Sequence, residues 1–365
     1  MALGIVTAGE SHGPALVAIV TGLPAGLALE KDAIDADLRR RQQGYGRSPR
    51  QKLESDEVEV LAGLRHGRTL GTPLALVVRN RDHANWTWGM SPWEPDGEAA
   101  GKGTKPVTLP RPGHADLAGV LKYGHDDVRN ALERASARHT AVHVAAGAVA
   151  KALLRELGIE VEGRPVEIGG ETSDHGMREA TDAARQDRDT LGGIVEVLAT
   201  GVPPGLGTYA EKVERLDARL AAALMGIQAV KGVEVGDGFA LARRRGTEAH
   251  DEIDPGLVRR TNRAGGLEAG VSNGEPIVVR AAMKPLPTLM RPLDSVDLAT
   301  GKSSQALVER SDVQAVEALA VVAEAAVAFE LARAARDTYG GDAIGDFIAA
   351  HRHFLERISA RWQPR

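Results

Sequence analysis

The stretch TGLPAGL at residues 21–27 recurs as TGVPPGL at residues 200–206, and this repeat decides the fold. Each copy follows an alternating apolar run, at residues 15–20 and 194–198, and each precedes a helical pattern. Alternation of this kind predicts a half-buried strand, and the glycines and prolines after it predict a turn. The sequence therefore predicts two related α/β halves.

A second set of matches extends the repeat. IDADL at residues 34–38 matches LDARL at 216–220, and GTPLALVVR at 71–79 resembles GEPIVVR at 274–280. The latter pair predicts a turn that leads into a Val-rich strand. We predict a single domain over residues 1–365, with its halves at about residues 1–150 and 185–340 and the functional site between or across them.

Apolar residues on one face predict a helix at residues 141–157, an alanine-rich run predicts a second at about 313–338, and a third is expected at about 343–362. Gly158 follows the first of them, at a position where glycine commonly terminates a helix. Helices that are apolar nearly all round are usually buried on more than one side. The expected fold class is α/β (α+β), with a layered sandwich or a subunit interface around the long helices.

Composition restricts the class of protein. The 365 residues are 43% hydrophobic, 26% charged and 3% aromatic, which is typical of a soluble globular protein with a large aliphatic core. A net charge of −5 disfavours a nucleic-acid-binding protein, because such proteins need a broad basic surface. The absence of cysteine excludes disulfides and thiol nucleophiles. With no basic leader and no long apolar segment, we expect a cytoplasmic protein without a membrane span.

Two glycine-rich motifs each carry a histidine: GESHG at residues 9–13 and RPGHAD at residues 111–116. A lone histidine in such a turn is usually a surface residue, but both motifs are flanked by residues suited to holding anions. The pair indicates proton chemistry on a phosphorylated or carboxylated substrate. In the second half, Leu191-Gly192 stands where His12-Gly13 stands in the first, which suggests a function added to one half of a symmetric scaffold.

No histidine pair has convincing metal-ligand spacing. His139 and His143 lie four residues apart on a predicted helix, without carboxylate partners of the expected kind nearby. We therefore expect no metal site. The histidines expected to be surface or capping residues are His66, His83, His125, His143, His175, His250, His351 and His353.

Arginines concentrate in short runs. RRR at residues 39–41 leads through a Gly-rich turn to Arg47, and RASAR occupies residues 134–138. Guanidinium groups bind phosphate and carboxylate bidentately, and glycine lets backbone amides approach the same anion. The alternative for the first run, a solvated helix terminus favoured by the macrodipole, stays open. RSD at 310–312 and KP at 284–285 add cations that anionic ligands would neutralise.

Three of the four tryptophans, Trp86, Trp88 and Trp93, fall in a run rich in Gly, Pro and charge at residues 80–110. Long connections of this kind are commonly lids or interface arms. An aromatic cluster that pins the loop is an equally good interpretation.

Seven motifs, in order and with appropriate spacing, resemble the chorismate synthase family: GESHG at 9–13, RPGHAD at 111–116, KYG at 122–124, RASAR at 134–138, AVKGVE at 229–234, SNG at 272–274 and RSD at 310–312. The resemblance covers nearly the whole chain. It implies a β-α-β sandwich with an internal pseudo-two-fold repeat, assembled as a homotetramer. It also implies a phosphate lyase of aromatic amino-acid biosynthesis, which converts 5-enolpyruvylshikimate 3-phosphate into chorismate by 1,4-elimination and needs reduced FMN.

The resemblance assigns roles to matching residues. His12 is implied as the acid that assists phosphate departure, with Ser11 as a relay. His114 is implied to control flavin protonation, and Asp312, held ionised by Arg310, to assist proton removal. The substrate carries a phosphate and two carboxylates, and the arginines implied to bind it are Arg41, Arg47, Arg111, Arg134 and Arg310. Flavin contacts are implied at Arg134, Ala135, Ser136, Gln228, Ala229, Ala269, Lys284, Pro285, Leu286, Pro287, Thr288 and Arg310.

The chain departs from the family pattern in three places. Many relatives have GGGRSSARET where residues 131–140 read ALERASARHT, so contacts made by residues 131–133 and His139 stay open. Ala269 replaces a usual glycine, which matters if the backbone there needs a positive φ. Gln314 replaces a usual cysteine, and we expect little effect because catalysis does not use that residue.

Two further expectations concern activity. Some fungal relatives reduce their own flavin with a nicotinamide cofactor (NADP), but nothing in this sequence indicates an added reductase module, so an external flavin reductant is expected. The alternative to an enzyme is a non-catalytic flavin- or phosphate-binding scaffold descended from one. It would have lost His12, His114 or Asp312, and all three are present.

Overall fold

The computed structural model describes residues 2–47, 56–308 and 311–361. The strands are β1 Gly4–Ala8, β2 Ala15–Thr21, β3 Val58–Ala62, β4 Leu64–Arg65, β5 Arg68–Thr69, β6 Leu74–Arg79, β7 Glu160–Ile168, β8 Gly193–Thr200, β9 Val230–Val235, β10 Ile253–Asp254, β11 Val258–Arg259, β12 Leu267–Glu268, β13 Val271–Ser272, β14 Ile277–Met283, β15 Asp294–Asp297 and β16 Lys302–Gln305. The helices are α1 Lys31–Gln42, α2 Asp116–Tyr123, α3 Arg129–Ala135, α4 Thr140–Arg155, α5 Asp174–Gln186, α6 Leu216–Met225, α7 Gly246–Ala249, α8 Val316–Tyr339 and α9 Ile344–Arg361, with short 3-10 helices at Arg81–Asn85, Ala137–His139 and Gly238–Arg243.

Two antiparallel four-stranded sheets have the same strand order. The first runs β1-β2-β6-β3 and the second β7-β8-β14-β9. Every second residue of β2 is buried, as expected for a sheet with one covered face. Each half supplies two strands, a helix, two strands and a long helix to this arrangement: β1, β2, α1, β3, β6 and α4, then β7, β8, α6, β9, β14 and α8. This order confirms the α/β fold class and the internal repeat.

The helices form a layer between the two sheets. Helix α4 lies against β1, β2 and β6, whereas α8 lies against β7 and β8, and the two helices pack on each other. Buried apolar residues of both sheets and both helices form one continuous core. Most residues of α4 and α8 are buried, which explains why both sequences are apolar nearly all round. The layered sandwich is therefore confirmed.

The repeated heptapeptide forms the same hydrogen-bonded turn in both halves. The buried hydroxyl of Thr69 donates to the carbonyl of Pro24 at 2.6 Å and accepts the backbone N–H of Leu27 at 3.0 Å. In the second copy, the hydroxyl of Ser272 donates to the carbonyl of Pro203 at 2.6 Å and accepts the backbone N–H of Leu206 at 2.8 Å. Each turn thus has its buried polar groups satisfied by a side chain from a later strand.

An ion cluster centred on the buried Glu324 joins the two halves through the helix layer. Glu324 of α8 accepts two hydrogen bonds from Arg40 of α1, both at 2.8 Å, and one from Lys151 of α4 at 2.6 Å. Lys151 also contacts Asp37. Burial raises the pKa of Glu324, but the hydrogen bonds and charges of Arg40 and Lys151 outweigh burial and lower that pKa. The carboxylate is therefore held ionised between the helices.

The predicted helices are α4, α8 and α9, with different ends. Helix α8 begins at Val316 rather than at residue 313, because the Gln314 side chain accepts the Val316 N–H at 2.6 Å. The residue that replaces the usual cysteine, Gln314, is 1% exposed. It lies one residue before the N-cap Ala315, and its side-chain oxygen satisfies the first backbone N–H of α8. The interpretation of His351 as a surface residue is wrong, because it is 8% exposed and lies against Tyr339. Residue 362, the predicted end of α9, lies outside the described residues. Within the described ranges, no helix is long and apolar enough to cross a membrane.

Candidate active site

A cavity of about 550 Å³ lies where the two halves meet, a size typical of ligand sites. Its lining combines residues of the first half, up to Thr140, with residues of the second half, from Ile227 onward. It brings together most of the predicted site residues: Ser11, His12, Arg41, Arg47, Arg111, His114, Ala135, Ser136, Gln228, Ala229, Lys284, Leu286, Pro287, Thr288 and Asp312. The two motif histidines thus face one space, as proton chemistry on a single substrate requires.

Four predicted site residues are not part of this lining. The exposed Arg134 donates to the carbonyls of Thr7 and Gly9, at 3.1 and 3.3 Å, instead of pointing into the cavity. Ala269 lies in the turn between β12 and β13 and has a φ of 52°, in the left-handed region where the usual glycine costs less. Pro285 lies beside the cavity without lining it. Arg310 lies outside the described residues.

His12 is held on several sides. Its Nδ1 lies 3.0 Å from both carboxylate oxygens of Glu133, and its backbone N–H donates to Glu133 at 2.9 Å. Its ring stacks on Trp86 with centroids 4.1 Å apart. The Nδ1 of His83 lies 2.9 Å from the His12 carbonyl oxygen. The tryptophan-rich segment therefore supports the histidine loop, which agrees with the pinned-cluster interpretation at Trp86.

The GESHG loop is shaped by glycine and by buried polar contacts. Gly9 has a φ of 112°, and a Cβ there would lie 2.4 Å from the carbonyl oxygen of Ala15, so a side chain does not fit. The buried Asn80 donates to the carbonyls of Glu10 and Gly13 at 3.1 and 2.8 Å. These contacts set the path of the loop on both sides of His12.

His114 has a carboxylate partner of its own. Its Nδ1 contacts Asp116, which is fully buried at the start of α2 and accepts bonds from Arg111 Nε at 2.8 Å and from Arg111 N at 3.0 Å. Burial raises the pKa of Asp116, but the hydrogen bonds of His114 and Arg111 outweigh it and hold the pKa well below its usual value. Arg111 also donates to Thr288 at 3.0 Å, which links the RPGHAD motif to the second half.

Buried carboxylates and hydroxyls hold two of the cavity arginines. Arg41 donates to the hydroxyl of Thr140 at 2.9 Å and contacts Asp56 at 3.4 Å. Arg138 donates to the same Asp56 at 2.6 Å and to Asn80 at 2.9 Å. The helix-terminus alternative therefore does not account for Arg41, because this side chain is 7% exposed and reaches the cavity.

Asp312 forms an ion pair with Arg47 at 2.8 Å. The sequence predicted Arg310 as the arginine beside Asp312, but Arg310 is outside the described residues, so this pairing is the one the structure describes. The Arg47 Nε is buried and has no hydrogen-bond partner among the described residues. A buried donor of this kind normally has a partner, which a ligand oxygen would supply.

Positive charge dominates the cavity lining. Among the lining residues that the structure describes, the cations are Arg41, Arg47, Arg111, Arg138 and Lys284, and Asp312 is the carboxylate. Asp56 and Asp116, which are not part of the lining, pair with Arg41, Arg138 and Arg111 and hold them in place, and guanidinium forks suit phosphate and carboxylate groups. In the described part of the chain, no three His, Asp or Glu side chains are placed to hold a metal ion.

Sequence reasoning missed several residues of the site. Glu133 and Trp86 hold His12, and Arg138 lines the cavity, yet none was predicted as a site residue. Signals were present for two of them: Glu133 falls in a stretch that departs from the family pattern, and Arg138 ends the RASAR motif. Trp86 had no signal beyond its place in a tryptophan-rich segment.

Comparison with known proteins identifies the family. A sequence model described as chorismate synthase matches residues 3–335. The chorismate synthases of Desulforudis audaxviator and Rubrobacter xylanophilus are 53% and 51% identical to this chain, and each alignment covers 98% of both proteins. A crystal structure of chorismate synthase matches with a TM-score of 0.78 and 36% identity over 99% of both chains. The chain therefore belongs to the chorismate synthase family, the phosphate-eliminating lyases that catalyse the last step of the shikimate pathway.

Proposed function

We propose that this protein catalyses the 1,4-elimination of phosphate from 5-enolpyruvylshikimate 3-phosphate, releasing chorismate and inorganic phosphate. One observation carries the proposal: a single cavity combines two carboxylate-paired histidines with a cluster of arginines. The substrate has a phosphate and two carboxylates, so a cationic cavity stabilises it and the phosphate that leaves.

The arginines bind and orient the substrate. Arg41, Arg47 and Arg111 line the cavity and are the described candidates for its phosphate and carboxylates. The resemblance adds Arg134 and Arg310. Because several of these guanidinium groups are already held by buried partners, they keep their places before the substrate arrives. Such preorganisation lowers the reorganisation needed as charge moves onto the phosphate.

Four groups handle protons. His12 gives a proton, or a strong hydrogen bond, to the phosphate as the C–O bond breaks, and Ser11, whose hydroxyl lies 3.2 Å from that of Ser136, is the relay. Asp312 assists the removal of the ring proton. His114, held by Asp116, would exchange a proton with a cofactor bound in the cavity.

The cavity also fits reduced FMN, the cofactor we propose. The lining includes apolar side chains such as Ile227, Met283 and Leu319, which suit a ring system, and the cation Lys284, which suits a phosphate. The lining residues proposed to hold the cofactor are Ala135, Ser136, Gln228, Ala229, Lys284, Leu286, Pro287 and Thr288, to which the resemblance adds Arg134, Ala269, Pro285 and Arg310. When bound, reduced FMN supplies electron density to the substrate during C–O cleavage.

The setting of the enzyme follows from the same resemblance. We propose a cytoplasmic homotetramer that receives reduced flavin from an external reductant and has no nucleic-acid or membrane partner. The net charge of −5 and the local clustering of arginines support the exclusion of nucleic acid.

The proposed function is tested by an anaerobic assay. Purified protein is mixed with chemically reduced FMN and 5-enolpyruvylshikimate 3-phosphate, and chorismate and phosphate are measured together. The expected result is equal amounts of both products, and none when reduced FMN is omitted. A folded protein that forms no chorismate under these conditions overturns the proposal.

The two histidines are tested in the same assay. His12→Ala and His114→Ala are each expected to lower kcat by about ten- to ten-thousand-fold, because each removes general acid–base assistance. Circular dichroism checks that the fold is intact, and His175→Ala, at an exposed position of α5, is the matched control. Unchanged turnover in both variants contradicts the assigned roles.

A further inference from the structure

Glu133 of α3 holds the loop that carries His12 through both its main chain and its side chain. Its carbonyl oxygen accepts the Ser11 N–H at 3.1 Å, and its carboxylate accepts the His12 N–H at 2.9 Å. Both carboxylate oxygens also lie 3.0 Å from Nδ1 of His12. With its side chain 2% exposed, Glu133 meets little competition from water. These contacts fix the orientation of the His12 imidazole against the Glu133 carboxylate.

The face of the imidazole is stacked on an aromatic ring that Glu133 also supports indirectly. Trp86 stacks on His12 at 4.1 Å, and the guanidinium of Arg129 lies 4.9 Å from the Trp86 ring centroid. Arg129 in turn contacts Glu133 at 3.4 Å, one helical turn away. The four side chains form a closed ring of contacts, so His12 cannot rotate without losing both the stacking and the carboxylate.

The carboxylate determines which ring nitrogen of neutral His12 carries the proton. An ionised carboxylate only accepts hydrogen bonds, so a neutral His12 beside it carries its proton on Nδ1. In the imidazolium both nitrogens carry protons, and a negative charge lies 3.0 Å from Nδ1. In either state Nδ1 is engaged with Glu133, so a proton passed between His12 and a ligand in the cavity would move through Nε2.

We propose that Glu133 is a positioning residue that acts through His12 and fixes the ring so that Nε2 delivers the proton to the departing phosphate. This inference rests on the proposed function, since it names the support of the acid used there. Asp116 stands in the same relation to Nδ1 of His114, so the cavity contains two imidazoles that are each fixed by a buried carboxylate.

The substitution Glu133→Gln tests the proposal, because it keeps the shape of the side chain and removes its charge. We expect kcat to fall by about ten- to a hundred-fold, with KM for the substrate changed by less than about two-fold. Glu179→Gln is the matched control, since Glu179 pairs with His175 at 3.3 Å on the exposed face of α5 and is expected to have no effect. A rise in KM with kcat unchanged overturns the proposal.

A double-mutant cycle separates positioning from a general structural role. If Glu133 acts through His12, Glu133→Gln has no further effect on kcat in a protein that already carries His12→Ala. If the two losses multiply, Glu133 acts independently of His12 and the proposal fails.

The ring tautomer gives a readout that does not depend on turnover. Nitrogen-15 NMR of the protein without substrate is expected to show the Nδ1–H form of neutral His12, and Glu133→Gln to shift the population toward Nε2–H, because an amide can also donate. Identical tautomers in the two proteins overturn the proposal. If the unsubstituted protein forms no chorismate, the proposed function fails while the NMR result still decides the positioning role.

Discussion

At the scale of single residues, His139 shows how burial sets a charge state. It is 5% exposed, contacts Arg134, and its ring centroid lies 5.2 Å from that of His143. Burial first, and then the charges of Arg134 and His143, lower the pKa of His139 from 6.5 to about 4. The imidazole is therefore neutral in the folded protein at neutral pH and can accept a hydrogen bond from Arg134.

A pH-dependent stability follows from this shift. Between pH 6.5 and about 4, the unfolded chain binds a proton at His139 that the folded protein does not, so stability falls as pH falls through this window. We expect His139→Gln to reduce the loss of unfolding free energy between pH 7 and pH 5 by about 2 kcal/mol. Urea unfolding at both pH values measures this loss, with the exposed His175→Gln as the control. An unchanged difference contradicts the burial argument.

At the scale of elements, the contact between α4 and α8 depends on a missing side chain. A Cβ at Gly147 of α4 would lie 2.3 Å from the Cβ and 2.9 Å from the carbonyl oxygen of Ala325 on α8. Helix α8 also approaches the second sheet at Gly163 of β7, where a Cβ would lie 2.2 Å from the carbonyl oxygen of Ala320 on α8. Small residues on both sides thus let the helix layer lie close to its neighbours.

Gly147→Ala tests this packing. Alanine favours helix over glycine by about 1 kcal/mol, but the new methyl group meets backbone atoms, so we expect a net loss of about 1 to 3 kcal/mol of unfolding free energy. In the control Gly345→Ala, near the start of α9, nothing lies within 4 Å of the new Cβ, and stability should be equal or slightly higher. Urea unfolding compares the two variants. A Gly147→Ala protein as stable as the control shows that the helices can separate at no cost.

At the scale of the whole molecule, the ion cluster of Lys151, Glu324, Arg40 and Asp37 joins helices from both halves, with Lys151, Glu324 and Asp37 buried and Arg40 exposed at its edge. Removing one partner of a buried ion pair leaves charge without compensation. The cluster, together with the continuous apolar core, makes the halves depend on each other for stability.

Lys151→Met tests this dependence. It removes a cation from the cluster while keeping most of the side-chain volume, and we expect a loss of about 3 kcal/mol of unfolding free energy. The exposed Lys212→Met is the control and should stay within about 0.5 kcal/mol of the unsubstituted protein. Chemical unfolding followed by circular dichroism measures both. Equal stability of the two variants contradicts a stabilising role for the cluster.

Much of the architecture could be predicted because its signals are local. The heptapeptide at residues 21–27 and its copy at 200–206 predict two equivalent turns, and the alternation before them predicts β2 and β8. The sequence did not reveal that Thr69 and Ser272 close these turns with the same pair of bonds. A hydroxyl that hydrogen-bonds the backbone of a turn distant in the sequence leaves no periodic pattern, because its bonding partners are not its neighbours in the chain.

The residues of the site likewise fall into two groups, those that local sequence patterns reveal and those that only the folded structure brings together. The sequence by itself determined the repeat, the buried helices and the motifs that contain His12 and His114, since periodicity, glycine-permitted bends and residue chemistry can all be read along the chain. Tertiary structure alone decided that the halves enclose one cationic cavity, that Arg47 faces Asp312, and that Glu133, separated from His12 by 121 positions, holds its ring. Such pairings depend on how α3 and the loops pack in three dimensions, and no local pattern encodes that packing.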